Sequence, residues 1–117
     1  MRVPVILAAI VAWAMLGSCA HNEPRLSPDK RRACLAEGGY ESRGPFGYAF
    51  CQVRYGDGGR HCSTKSDCEG QCILMNEGPP RYPAGTPASG LCEAERSTFG
   101  CFAVIMDGKS IGEICKD

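Results

Sequence analysis

Cysteine carries most of the chemistry available to this chain, with nine in 117 residues. Cys34, Cys51, Cys62, Cys68, Cys72, Cys92, Cys101 and Cys115 form an even set in a short, turn-rich stretch. That pattern predicts a framework of four disulfides, although spacing alone leaves 105 pairings open. Thiolates can also hold metal, and His61, Cys62, Cys68 and Cys72 supply zinc-type ligands. Their spacing lacks the paired Cys-x-x-Cys of a structural zinc site, so no metal and no cofactor are expected. The same gap removes a thioredoxin-like redox centre. Asp57, Asp67 and Glu69 crowd around His61, but on turn-rich sequence where acids cap and turn. Cys62 beside His61 should be oxidised, and no nucleophile is paired with a base and its orienter, so the chain does not read as an enzyme.

The ninth cysteine sits elsewhere. Arg2 is followed by an unbroken apolar run over residues 5–16, then by Gly17, Ser18 and Cys19. A basic start, a short apolar segment and small residues describe an export signal, and the run is too short for a membrane span. Leu16-Gly17-Ser18-Cys19 resembles a bacterial lipobox. The resemblance implies cleavage before Cys19 and lipid on its sulfur, which holds the protein to a membrane. Ala20 in place of an inner-membrane-retaining Asp implies the outer membrane, facing the periplasm. The expected organisation is a signal peptide over 1–18, a lipidated tether over 19–26 and a disulfide-stapled domain over 27–117.

Charge is balanced at 13 basic and 13 acidic residues, which leaves no basic excess to hold nucleic acid. Fifteen glycines and eight prolines imply many turns and little regular structure. A small domain of this kind buries too little apolar surface to offset its chain entropy, and each bridge adds roughly 2–4 kcal/mol.

The expected fold is a small disulfide-rich α+β domain: one short N-terminal helix, short antiparallel strands and a C-terminal hairpin. Ser27-Pro28-Asp29 opens the helix by capping, a fixed φ and dipole complementarity, and Gly38-Gly39 stops it. Lys30-Arg31-Arg32 reads as a solvated face, with lipid-headgroup contact as the alternative. Tyr48 to Tyr55 reads as a strand, Ile73-Leu74-Met75 as a short apolar piece, and Cys101 to Met106 as the strongest strand. Asp107-Gly108 signals a two-residue hairpin turn. A regular turn there aligns Cys101 with Ile114, so a direct Cys101–Cys115 bridge requires a bulge or a three-residue turn.

The stretch 76–90, opening on Asn76 and closing on Gly90, reads NEGPPRYPAGTPASG. Its prolines and low apolar content predict an exposed loop, mobile relative to the core and the favoured contact surface through Pro79, Pro80, Arg81 and Tyr82. Stiff prolines around Arg81 give the alternative function, inhibition of trypsin-like proteases. The first reading is a lipid-anchored envelope module that binds an envelope protein or glycan, or serves structurally.

Cys34 with Gly38-Gly39, Tyr55-Gly56-Asp57-Gly58-Gly59, Cys68-Glu69-Gly70-Gln71-Cys72, Gly90-x-Cys92 and Phe99-Gly100-Cys101 together resemble a family of small, uncharacterised cysteine-rich exported proteins of Gram-negative bacteria. The resemblance covers residues 34–117 and implies fold and location only. The Cys68-x3-Cys72 piece superficially resembles whey-acidic-protein-type inhibitors, but the remaining spacing does not follow that pattern.

Overall fold

The computed structural model describes residues 24–117. The expected signal segment, the expected lipidation site Cys19 and the first part of the expected tether lie outside the described residues. Among the described residues the fold is a disulfide-rich α+β arrangement with one α-helix, two antiparallel sheets and four bridges.

Helix α1 spans Pro28–Ala36. Ser27 Oγ accepts the Lys30 amide, Pro28 fills a position whose amide needs no partner, and Asp29 sits in the first turn. The Gly39 amide donates to the Cys34 carbonyl as the chain leaves. Strands β1 (Tyr40–Arg43) and β2 (Ala49–Gln52) pair as a hairpin, and the Cys34–Cys51 bridge ties α1 to it. The sequence favoured a longer strand from Tyr48 to Tyr55. Beyond Gln52 the chain instead bonds outward, Tyr55 N–H to the Ala94 carbonyl, and so leaves the hairpin.

The larger sheet has the order β3-β5-β4-β6-β7, from His61–Cys62, Cys72–Met75, Gly90–Cys92, Gly100–Met106 and Lys109–Lys116 in chain order. His61, expected on a loop, is an exposed residue of the edge strand β3. Register and the two-residue alternation of strands sort the side chains onto two faces. Cys62, Cys72, Cys92, Ala103 and Ile105 lie on one face and form the core, with Cys68, Leu74, Tyr82 and Ala88 packed against them. The Cys62–Cys72 and Cys68–Cys92 bridges stand side by side there. Leu91, Ile73 and Val104 follow one another in register on the other face.

At the C-terminal hairpin, Asp107 (φ 49°) and Gly108 (φ 72°) make the expected two-residue turn. Met106 faces Lys109 and Ile105 faces Ser110, as a regular turn requires. The register then slips by one, so that Ala103 faces Glu113 and Cys101 faces Cys115. Gly112, at φ 127°, absorbs the slip, and the Cys101–Cys115 bridge closes across it.

The stretch 76–90 is largely exposed, as the sequence predicts, but Tyr82 and Ala88 pack on the core face and the segment is hydrogen-bonded, as a strap, along β7 and the turn before it. Glu113 Oε1 accepts Asn76 Nδ2 at 2.9 Å and the Arg81 and Tyr82 amides at 3.2 Å each. Ser110 Oγ donates to the Tyr82 carbonyl at 2.7 Å, and the Gly85 and Ala88 amides donate to the Ser110 and Gly108 carbonyls. The physical reason is that the strap's remaining amides and the Asn76 side chain need acceptors, which the Glu113 carboxylate and the Gly108 and Ser110 carbonyls supply, while the Ser110 hydroxyl and amide donate back to the Tyr82 and Thr86 carbonyls.

Candidate functional site

The face opposite the core carries an open groove of about 740 Å³ with a mostly apolar lining. Ile73, Met75, Leu91 and Phe99 line it, together with the turn at Gly56, Gly58 and Gly59. Met75 and Leu91 are 48 % and 42 % exposed, high for large apolar side chains. They arise from strands β4 and β5 whose alternate residues are the buried cysteines Cys72 and Cys92. The bridges that lock one face therefore hold the apolar residues of the other in a fixed plane.

The polar end of the groove is built around Glu95. Tyr40 O–H donates to Glu95 Oε1 at 2.6 Å, and Gln52 Nε2 donates to Oε2 at 3.1 Å. The Arg54 guanidinium lies 3.7 Å from Glu95 and 4.9 Å from the centre of the Tyr40 ring. Arg54 is thereby stacked and paired at once while its face toward the groove stays exposed. Gln52, only 2 % exposed, fastens this wall. It donates to the Ser97 carbonyl and accepts the Ser97 amide, joining the small sheet to the segment between β5 and β6. Arg96 pairs with Glu37 at 2.9 Å and adds a second tie to α1. That guanidinium, through its hydrogen bond above all, holds the Glu37 carboxyl below the usual range.

The sequence-derived residues are distributed differently. Cys34–Cys51, Cys62–Cys72, Cys68–Cys92 and Cys101–Cys115 use all eight cysteines as bridges. The sulfurs of Cys62, Cys68 and Cys92 lie within 4.8 Å of one another because two disulfides pack together. Bridged sulfur is not a thiolate, so this grouping and that of Cys34, Glu37 and Cys51 are packing features. Pro79, Pro80 and Arg81 are exposed, whereas Tyr82 is half-buried on the core, away from the groove. Sequence reasoning missed the groove. The signal for it was the apolar residue beside each cysteine, Ile73 after Cys72 and Leu91 before Cys92, which marks a strand that is apolar on both faces.

The chain matches no protein-family model, no curated protein and no solved structure.

Proposed function

We propose that this chain is a lipid-anchored protein of the cell envelope, held by acyl groups on Cys19, that works by binding an apolar segment of another envelope protein. The lipidation reading rests on the Leu16-Gly17-Ser18-Cys19 junction, and a binding role is supported by one observation, the open apolar groove on a frame locked by four bridges. A rigid groove lowers the ordering cost of association, since its side chains are already placed. Leu91, Met75 and Phe99 offer apolar contact, and the Arg54–Glu95 pair offers a polar group at one end to fix the direction of an extended ligand. A photo-crosslinking benzoylphenylalanine at Leu91 should give a discrete adduct in intact cells, while the same group at Ile111, outside the groove, should not. No adduct from Leu91, or equal adducts from both, would overturn binding through this groove.

A second reading, inhibition of a trypsin-like protease through Arg81, is favoured by one observation. The Arg81 and Tyr82 amides share Glu113 Oε1 as acceptor, which fixes the backbone on both sides of an exposed arginine. The purified protein should then slow trypsin and Arg81→Ala should not. A wild type without effect on trypsin removes this reading.

A further inference from the structure

We propose that the face formed by α1 and the β1–β2 turn lies on an anionic lipid surface, as a second membrane contact beside the acylated Cys19. The inference rests on the lipidation reading above and adds a surface to it.

The first argument is where the chain enters the domain. Arg43 Nη1 donates to the Pro24 carbonyl and to the Gly47 carbonyl, each at 3.1 Å. The entry point is therefore stitched to the β1–β2 turn. Cys19 precedes Pro24 by five residues, which even fully extended reach about 18 Å. A lipid on Cys19 keeps this face, and not another, close to the bilayer.

The second argument is what that face carries. Phe46, in the turn beside Gly47, is 78 % exposed, and Leu35 on α1 is 63 % exposed, the two highest values among the large apolar side chains described. Arg25, Leu26, Pro28, Arg31, Arg32 and Leu35 line one shallow opening, with positions 28, 31, 32 and 35 stacked on a single stripe of the helix. Of its basic residues, Arg25 and Arg32 are exposed. Of the acids on this segment, Asp29 lies 3.8 Å from Arg32 in an exposed pair, Glu41 is paired with Arg31 at 2.9 Å and Glu37 with Arg96. Exposed apolar tips beside arginines are the composition that sits at an anionic headgroup layer. Basic groups act there over about a Debye length, about 8 Å, and the short tether keeps the face within about 18 Å of the anchor, from which it can reach that contact.

The test uses the mature lipidated protein in vesicles of phosphatidylethanolamine with about one quarter phosphatidylglycerol, to mimic an anionic leaflet. The chain's one tryptophan, Trp13, belongs to the segment removed with the signal, so an added indole reports alone. F46W places it on the proposed face. M106W places it at the opposite end of β7 from Asp117, whose carbonyl accepts the Tyr48 hydroxyl. Brominated lipids should quench F46W at least about twofold more than M106W, and R25E/R32E should bring F46W down to the M106W level. Intact mass reports the acyl groups. A mass without them removes the lipidation reading and this proposal with it. An acylated protein in which F46W is quenched no more than M106W, or in which charge reversal changes nothing, overturns the lipid contact alone.

Discussion

Cys101 faces Cys115 across the C-terminal hairpin, with 4.0 Å between their Cα atoms, only because Gly112 adds one residue to β7. Without the slip, the tight turn at Asp107-Gly108 would set Cys101 against Ile114, and the two sulfurs would point to opposite faces. The bulge reconciles a two-residue turn with the bridge. It also aligns Glu113 with Ala103 on the core face, where it meets the proline strap. A side chain at φ 127° is strained, so Gly112→Val should destabilise the domain by about 1–3 kcal/mol. Deleting Gly112 restores a regular ladder with the same facing pairs, so the Cys101–Cys115 bridge should still form. Thermal unfolding and a peptide map under non-reducing conditions check both outcomes.

Glu113 is the anchor of the strap, with three donors on one carboxylate oxygen. Glu113→Ala should release Arg81 to proteolysis, raising the rate of tryptic cleavage after it by about tenfold or more, since cleavage follows local opening. Glu113→Gln keeps an acceptor oxygen and should fall between the two. Limited digestion followed by peptide mass reads the site directly. Equal cleavage rates in all three proteins would show that the strap is held by other bonds.

Parts of this fold were legible from residue types because local rules decide them. Ser27-Pro28-Asp29 starts a helix wherever it is placed, and Asp107-Gly108 turns a hairpin for reasons confined to two residues. The pairing of bridges was not legible. Cys72 and Cys92 are direct cross-strand partners, yet they bond to Cys62 and Cys68. That choice depends on β3 pairing with β5 at the sheet edge and on where the short 3-10 turn at Lys65–Asp67 carries Cys68, which no spacing encodes. The strap misled for a related reason. Its own composition is that of a free loop, and the groups that hold it, Glu113 and Ser110, are more than twenty residues away in sequence. The groove is lined by β4, β5 and the segments 54–59 and 93–99 of distant sequence, and the small sheet braces its wall at Glu95 and Ser97 beside the larger one.

Gln52 joins those sheets and is almost wholly buried, with four hydrogen bonds to Val53, Glu95 and Ser97. Gln52→Ala leaves the Ser97 amide and carbonyl without their partner in a closed site. The expected loss is about 1–3 kcal/mol, above that of an average surface substitution. Because Ser97 and Glu95 line the groove, the same variant should also weaken any adduct formed from Leu91. A variant that unfolds like wild type but loses the adduct would assign Gln52 to positioning the groove wall alone.

Acid should loosen the domain through three carboxylates. Arg96 holds Glu37 below the usual range, chiefly by hydrogen bonding, and Arg31 does the same to Glu41. Asp67 is lowered first by the Ser63 amide and then by the Thr64 amide, both of which it accepts in the folded chain. Groups with depressed folded values are ionised more readily when folded than when unfolded. Their contribution is complete above the ordinary values, 4.5 for Glu and 3.8 for Asp, and is lost as the pH falls through the folded ones. The thermal midpoint should hold steady near neutrality and drop between about pH 5 and pH 3, where these ties are surrendered to protonation. Exposed pairs are screened, so salt should shrink the part due to Glu37 and Glu41 while the part due to Asp67, bonded to backbone amides, persists. Asp67→Asn should therefore flatten the acid slope at high salt, read by calorimetry across that pH range. A slope unchanged by Asp67→Asn would move the acid sensitivity to other carboxylates.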